Sequence, residues 1–193
     1  MSRIHACVAA PLCLVLIVIG PGRAPLGGQT TAPDARMPAF EWDATWPKPL
    51  PNDTWAIGPV VGVSVDRRDH VFIVHRVSAL RKNERYIAAA QHPPTADCCV
   101  PAPPILEFDQ AGSLVSAWGG PGHGYEWPES EHGIYADPNG FIWTGGNGGS
   151  DAHLLRFTRG GAFVQQIGRK GMSQGNRDTV NLKRAADMTL DPS

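Results

Sequence analysis

Apolar and polar residues alternate in short runs along most of this chain, with the period of two that marks half-buried strands. Val63 and Val65 are interleaved with Gly62 and Ser64, the turn Asp66-Arg67-Arg68-Asp69 follows, and Val71 to Val74 is apolar throughout, as a strand buried on both faces would be. The pattern breaks between Ser78 and Pro104. There Arg81 to Ala90 suits a short helix, while Pro93-Pro94, Pro101, Pro103 and Pro104 favour an extended loop. Strand alternation resumes at Ile105–Phe108, turns at Asp109–Gly112 and returns through Leu114–Trp118. It then runs through Ile134/Ala136, the turn Asp137–Gly140, Phe141–Trp143, Leu154–Phe157, the turn Thr158–Gly161 and Phe163–Ile167. The reading is all-β, with about eight strands.

These strands repeat. Leu106, Phe108, Gly112, Leu114 and Gly119 correspond to Leu155, Phe157, Gly161, Phe163 and Gly168, every pair at an offset of 49. The opening Gly62-Val63-Ser64-Val65-Asp66 is echoed by Gly133-Ile134-Tyr135-Ala136-Asp137 and again by Asp187-Met188-Thr189-Leu190-Asp191. Openings lie 71 residues apart across the Ser78–Pro104 excursion, but 54 apart without it. Several short strands per unit of roughly 50 residues describe a β-propeller or a related array. Units of this kind bury their faces against neighbours, so two units and the start of a third are expected to be an incomplete array.

Composition agrees with many strands and tight turns: 22 Gly, 18 Pro and only 18% charged residues. A net charge of −1, with both signs mixed, gives no basic field for nucleic acid. At the N-terminus Arg3 precedes the uncharged run Val8–Gly20, which is 13 residues long and followed by Gly, Pro and Ala. That is the layout of a secretory signal peptide over residues 1–28, shorter than the ~20 residues of a membrane span. A secreted or periplasmic protein with no stable membrane span after cleavage follows as the expectation. Signal removal would leave Cys98-Cys99, which can pair with another segment, bind a metal or stay reduced. Residues 29–54, with Trp42, Trp46, Pro47, Pro49 and Pro51, read as an irregular lead-in anchored by its tryptophans.

From Trp55 to Pro192 the chain resembles the NHL-repeat propellers, and more narrowly the secreted peptidyl-α-hydroxyglycine α-amidating lyases and their bacterial relatives. The resemblance is carried by Gly62–Asp66, Val74-His75-Arg76, Glu131-His132-Gly133-Ile134, Asp137 with Gly140-Phe141-Ile142-Trp143, Asp151 to Phe157, and Ile167-Gly168-Arg169 with Gly175. It implies a six-bladed propeller. Blade 1 would span about 55–120 with the 78–104 loop, blade 2 about 121–170, and blade 3 would start at about 180–193. It also implies cleavage of a hydroxyglycine-extended peptide to an amidated peptide and glyoxylate. The metals implied are a zinc held by histidines that open three blades and a calcium in the central channel. By position His132 matches a zinc ligand, Ile134 a carbonyl ligand of calcium, and Arg76 an active-site arginine. One ligand cannot hold zinc, so this chain alone is expected to bind neither metal tightly and to be inactive.

The chain departs from the family pattern close to these residues. Glu131 stands where the family usually has Pro, Thr144-Gly145-Gly146 where it commonly shows Thr-Asp, and Val77-Ser78 where it has Gly-Asp. The other class of function is a non-catalytic propeller that binds protein or carbohydrate through its top face, in place of a peptide or small-molecule substrate. A third arrangement has this product close its ring with another chain. His132 can equally be a histidine that bonds a neighbouring strand, and Arg76 can pair with Asp69 or Glu131. His75 and His153 read as structural. Gly145–Gly149 reads as a flexible blade-top loop, and Phe108, Trp118, Trp143 and Phe157 as packing between units.

Overall fold

A computed structural model describes residues 39–52, 54–80 and 99–191. The signal-peptide segment, Cys98 and the helix suggested at Arg81–Ala90 lie outside the described residues. The chain divides into two units, Met1–Glu41 and Trp42–Ser193, and all that follows concerns the second.

The unit is all-β. A first antiparallel sheet has the order β2-β3-β5-β6, formed by Val60–Val65, Val71–His75, Ile105–Phe108 and Leu114–Trp118. A second has the order β10-β9-β8-β7, formed by Phe163–Gly168, His153–Thr158, Phe141–Gly146 and Glu131–Ala136. A two-residue parallel pair joins β1 (Trp55–Ala56) to β4 (Val100–Pro101). The eight strands legible in the sequence are therefore present, in two sheets of four. The third repeat opening, Asp187–Asp191, forms no strand.

Four tight turns share one chemistry. Asp66, Asp109 and Asp137 each accept backbone N–H bonds through Oδ1, from Arg68 and His70, from Ser113, and from Asn139 and Phe141 respectively. Thr158 does the same for Ala162 through Oγ1. The fourth residue of each turn is left-handed, at φ 80° for Gly112, 84° for Gly140, 86° for Gly161 and 57° for Asp69. Glycine meets that demand without steric cost, whereas Asp69 meets it under mild strain.

The core lies between the sheets. Phe72, Val74 and Ile105 of the first meet Ile134, Ala136, Ile142, Leu155 and Phe157 of the second. Trp118 closes over Phe157 with ring centres 5.2 Å apart. On the far face of the first sheet Ile73, Leu106 and Phe108 are covered by Trp46, Leu50 and Trp55. Of the aromatics assigned to packing between units, Trp118 and Phe157 span the two sheets. Phe108 instead packs on Trp46 of the lead-in, and Trp143 faces away from the first sheet beneath Arg156. The lead-in is anchored by Trp46 and Leu50, while Trp42 is exposed.

One polar cluster crosses the intersheet space. Glu107 projects from β5 among apolar neighbours and is fully buried. Arg159, in the β9–β10 turn, donates to both Glu107 and Asp66 and lies over the Phe72 ring. His70 and Ser116 also bond the Glu107 carboxylate, at 2.7 and 2.9 Å. Burial alone would raise the Asp66 pKa. Hydrogen bonds from Arg159 and from the His70 and Arg68 N–H groups more than offset that and hold it down at about 2.

Candidate functional site

The residues singled out in the sequence gather where the strand openings adjoin. Arg76 follows the last residue of β3. Its Nε donates to the main-chain oxygen of Glu131 at 3.2 Å, and its Nη2 to Asn147 Oδ1 at 3.2 Å. The guanidinium therefore grips the peptide bond that joins Glu131 to His132, and it hydrogen-bonds neither Asp69 nor the Glu131 carboxylate.

Asn147 is itself held in place. Its N–H reaches the Ser130 carbonyl at 3.0 Å, and its side-chain oxygen accepts from Ser130 Oγ. The Asp151 carboxylate collects N–H bonds from Glu129, Ser130 and Gly148 at 2.7–3.1 Å. The first two residues of the stretch read as a flexible glycine loop are instead part of a strand. Gly145 and Gly146 end β8 in buried positions, and a Cβ on Gly146 would stand 2.3 Å from Asp151 Oδ2. These are glycines of close approach.

His132 is half-buried, and its Nδ1 lies 2.8 Å from the carbonyl oxygen of Ala186. Since a carbonyl only accepts, Nδ1 carries a proton, and in the neutral ring the lone pair is therefore on Nε2. This is the tautomer of a histidine ready to ligate, with the second nitrogen fixed by a main-chain oxygen. A cavity of about 150 Å³ beside it is lined by Gly62, His132, Gly133, Ile134, Ala186 and Asp187, among others. Ile134 buries its side chain in the core and pairs with Thr144 in the β7–β8 register. Among the described residues no three His, Cys, Asp or Glu side chains cluster as a metal site.

The strand openings stack in chain order. A Cβ on Gly62 would lie 2.6 Å from the His132 carbonyl oxygen, and one on Gly133 would lie 2.6 Å from that of Ala186. Glycine recurs at these openings because each backbone runs against the next. Ala186 therefore occupies at the third opening the place of His132 at the second and Val61 at the first. The flanking openings bring no further imidazole to His132.

His75 and His153 are engaged elsewhere. His75 is fully buried. Its Nδ1 accepts from the Gly58 N–H at 3.2 Å, so its Nε2–H points at the Ala102 and Pro103 carbonyls. Burial lowers its pKa and keeps it neutral. His153, also buried, bonds the Glu126 carbonyl.

Sequence reasoning gave the acid beside His132 no role beyond a possible partner for Arg76. Glu131 is 4% exposed; its Oε1 accepts from Trp127 Nε1 at 3.0 Å, and its Oε2 has no hydrogen-bond partner. Burial raises its pKa, against the opposing pull of the Trp127 bond and the Arg76 charge. The only signal in the sequence was its departure from the residue expected there. Cys99 is disulfide-bonded, with its partner outside the described residues. Compared with models of known protein families and with curated proteins, the chain matches none.

Proposed function

We propose that this chain is the opening part of an exported NHL-type β-propeller. Its complete form would be a zinc-dependent lyase that cleaves peptidyl-α-hydroxyglycine to amidated peptide and glyoxylate. The observation that carries this reading is the stacking of β2, β7 and the 185–191 segment in chain order, with His132 at the junction and Arg76 tied to its peptide bond. Successive units of a propeller bring their first strands together around an axis in this way.

In this reading His132 contributes one imidazole through Nε2, Arg76 sets the charge beside the substrate, and Ile134 offers its carbonyl to calcium. Zinc would polarise the substrate hydroxyl. The residues present fit one ligand of such a centre, and the other histidines must come from further blades.

The test offers a hydroxyglycine-extended peptide and zinc to two polypeptides: this chain, and the product of its reading frame continued past Ser193. Glyoxylate is expected from the longer product only, and is abolished by chelation and by His132→Ala. A longer product that releases none, or releases it equally after chelation, overturns the reading. Stoichiometric zinc on the 193-residue chain, lost in His132→Ala, would overturn the expectation that this chain alone binds no metal tightly.

A further inference from the structure

A larger cavity, of about 510 Å³, opens near Arg76 but is built from different residues. Its walls include Val77, Pro101, Pro104, Pro121, Trp127 and Glu131. That volume falls within the range of small-molecule sites, and the mixture of an apolar wall with a few polar side chains, here Ser78 and Glu131, is typical of them. No Lys, Arg or His is among the described residues that line it.

Glu131 makes this cavity more than a hollow. Its carboxylate has one oxygen on the Trp127 indole N–H and the other without a side-chain partner, its own main-chain N–H favours the charged form, and no described side chain forms an ion pair with it. Arg76, whose charge acts on Glu131, directs its Nε and Nη2 donors to the Glu131 main-chain oxygen and to Asn147. Buried carboxylates are normally paired, and an isolated one is costly. An acid against an apolar, proline-rich wall attracts a positive charge strongly, since little water screens it. Trp127 adds an aromatic surface suited to a cation.

We infer that this cavity binds a small organic amine, with its ammonium group toward Glu131 and Trp127 and its apolar body against Pro101, Pro104 and Pro121. The inference is independent of the lyase reading, since neither His132 nor a metal takes part.

Three probes of one shape test it on the full chain at constant pH: benzylammonium, benzyl alcohol and benzoate, titrated by calorimetry and by the indole N–H resonances in NMR. Benzylammonium is expected to bind at least tenfold tighter than benzyl alcohol, benzoate not at all, and the Trp127 Nε1–H signal to shift. Glu131→Gln keeps an oxygen for Trp127 and should erase the preference while leaving benzyl alcohol binding unchanged. Equal affinity for amine and alcohol, a preference that survives in Glu131→Gln, or no saturable binding of any probe overturns the assignment. The probe comparison needs no variant, so it decides the matter even if Glu131→Gln does not fold.

Discussion

The same face of the two sheets is covered in two different ways. In the second sheet Phe157 lies under Trp118 of the first sheet, and a Cβ on Gly161 would stand 2.7 Å from that indole. In the first sheet the equivalent Phe108 lies under Trp46 of the lead-in, and a Cβ on Gly112 would stand 2.9 Å from its ring. The lead-in thus does for the first sheet what the first sheet does for the second. The opposite faces differ more. Phe72 is sealed by the second sheet, whereas Trp143 is covered by Arg156, whose guanidinium lies 3.7 Å from the Phe141 ring centre and 5.2 Å from that of Trp143. The lesson is that a repeat needs a surface of the right shape against it, and an irregular segment with one well-placed tryptophan supplies that surface.

The largest effect should come from the shared interface. Phe157→Ala removes a fully buried ring that meets Trp118, Tyr125, Trp127 and Phe163. It should cost about 3–5 kcal/mol by urea denaturation. Both sheets should unfold in a single transition; separate transitions would break the claim that they share one core.

Next comes the contrast between covering groups. Trp46→Ala uncovers Phe108 and should cost about 2–3 kcal/mol, while Arg156→Ala, at a solvent-facing cap, should cost about 1 kcal/mol. Equal losses would mean that the lead-in is ornamental.

The ion cluster between the sheets makes a pH prediction. Asp66 has its pKa depressed from 3.8 to about 2, so its contribution is fully present above 3.8 and is lost as pH falls through 2. Arg159→Ala should lower stability at neutral pH by about 2 kcal/mol, below the cost of breaking a fully buried pair, because Arg159 is partly exposed. It should also flatten the acid limb of stability against pH; an unchanged limb would remove Arg159 from the account. His75 acts in a higher window. Its pKa is lowered by burial, so its contribution is present above 6.5 and declines as pH falls below that value.

The smallest effect concerns the turns. Asp69 is the one left-handed position of the four without glycine, and Asp69→Gly should stabilise the protein by up to about 1 kcal/mol. Gly112→Ala should destabilise it, since φ is positive there and Trp46 stands in the way. The pair, followed by thermal melting, separates backbone strain from packing.

Much of this architecture is local and was therefore legible in the sequence. Alternation gave the eight strands, and the four-residue polar breaks between them gave the turns, because each turn's first side chain bonds its own backbone within four residues. The offset of 49 marked the repeat, because each member of a pair occupies the same place in its own sheet. What the sequence left open depended on partners distant along the chain. Phe108 and Phe157 look identical in pattern, yet one meets Trp46 and the other Trp118. Asp187–Asp191 repeats the pattern of the two earlier openings, yet forms no strand. The Arg76–Glu131 link, the Glu107–Arg159 clamp and the unpaired oxygen of Glu131 each join residues, or leave them unjoined, across the space between sheets. Local periodicity determines which way a side chain faces; only tertiary packing decides what it meets, because burial and charge pairing are properties of the assembled interior.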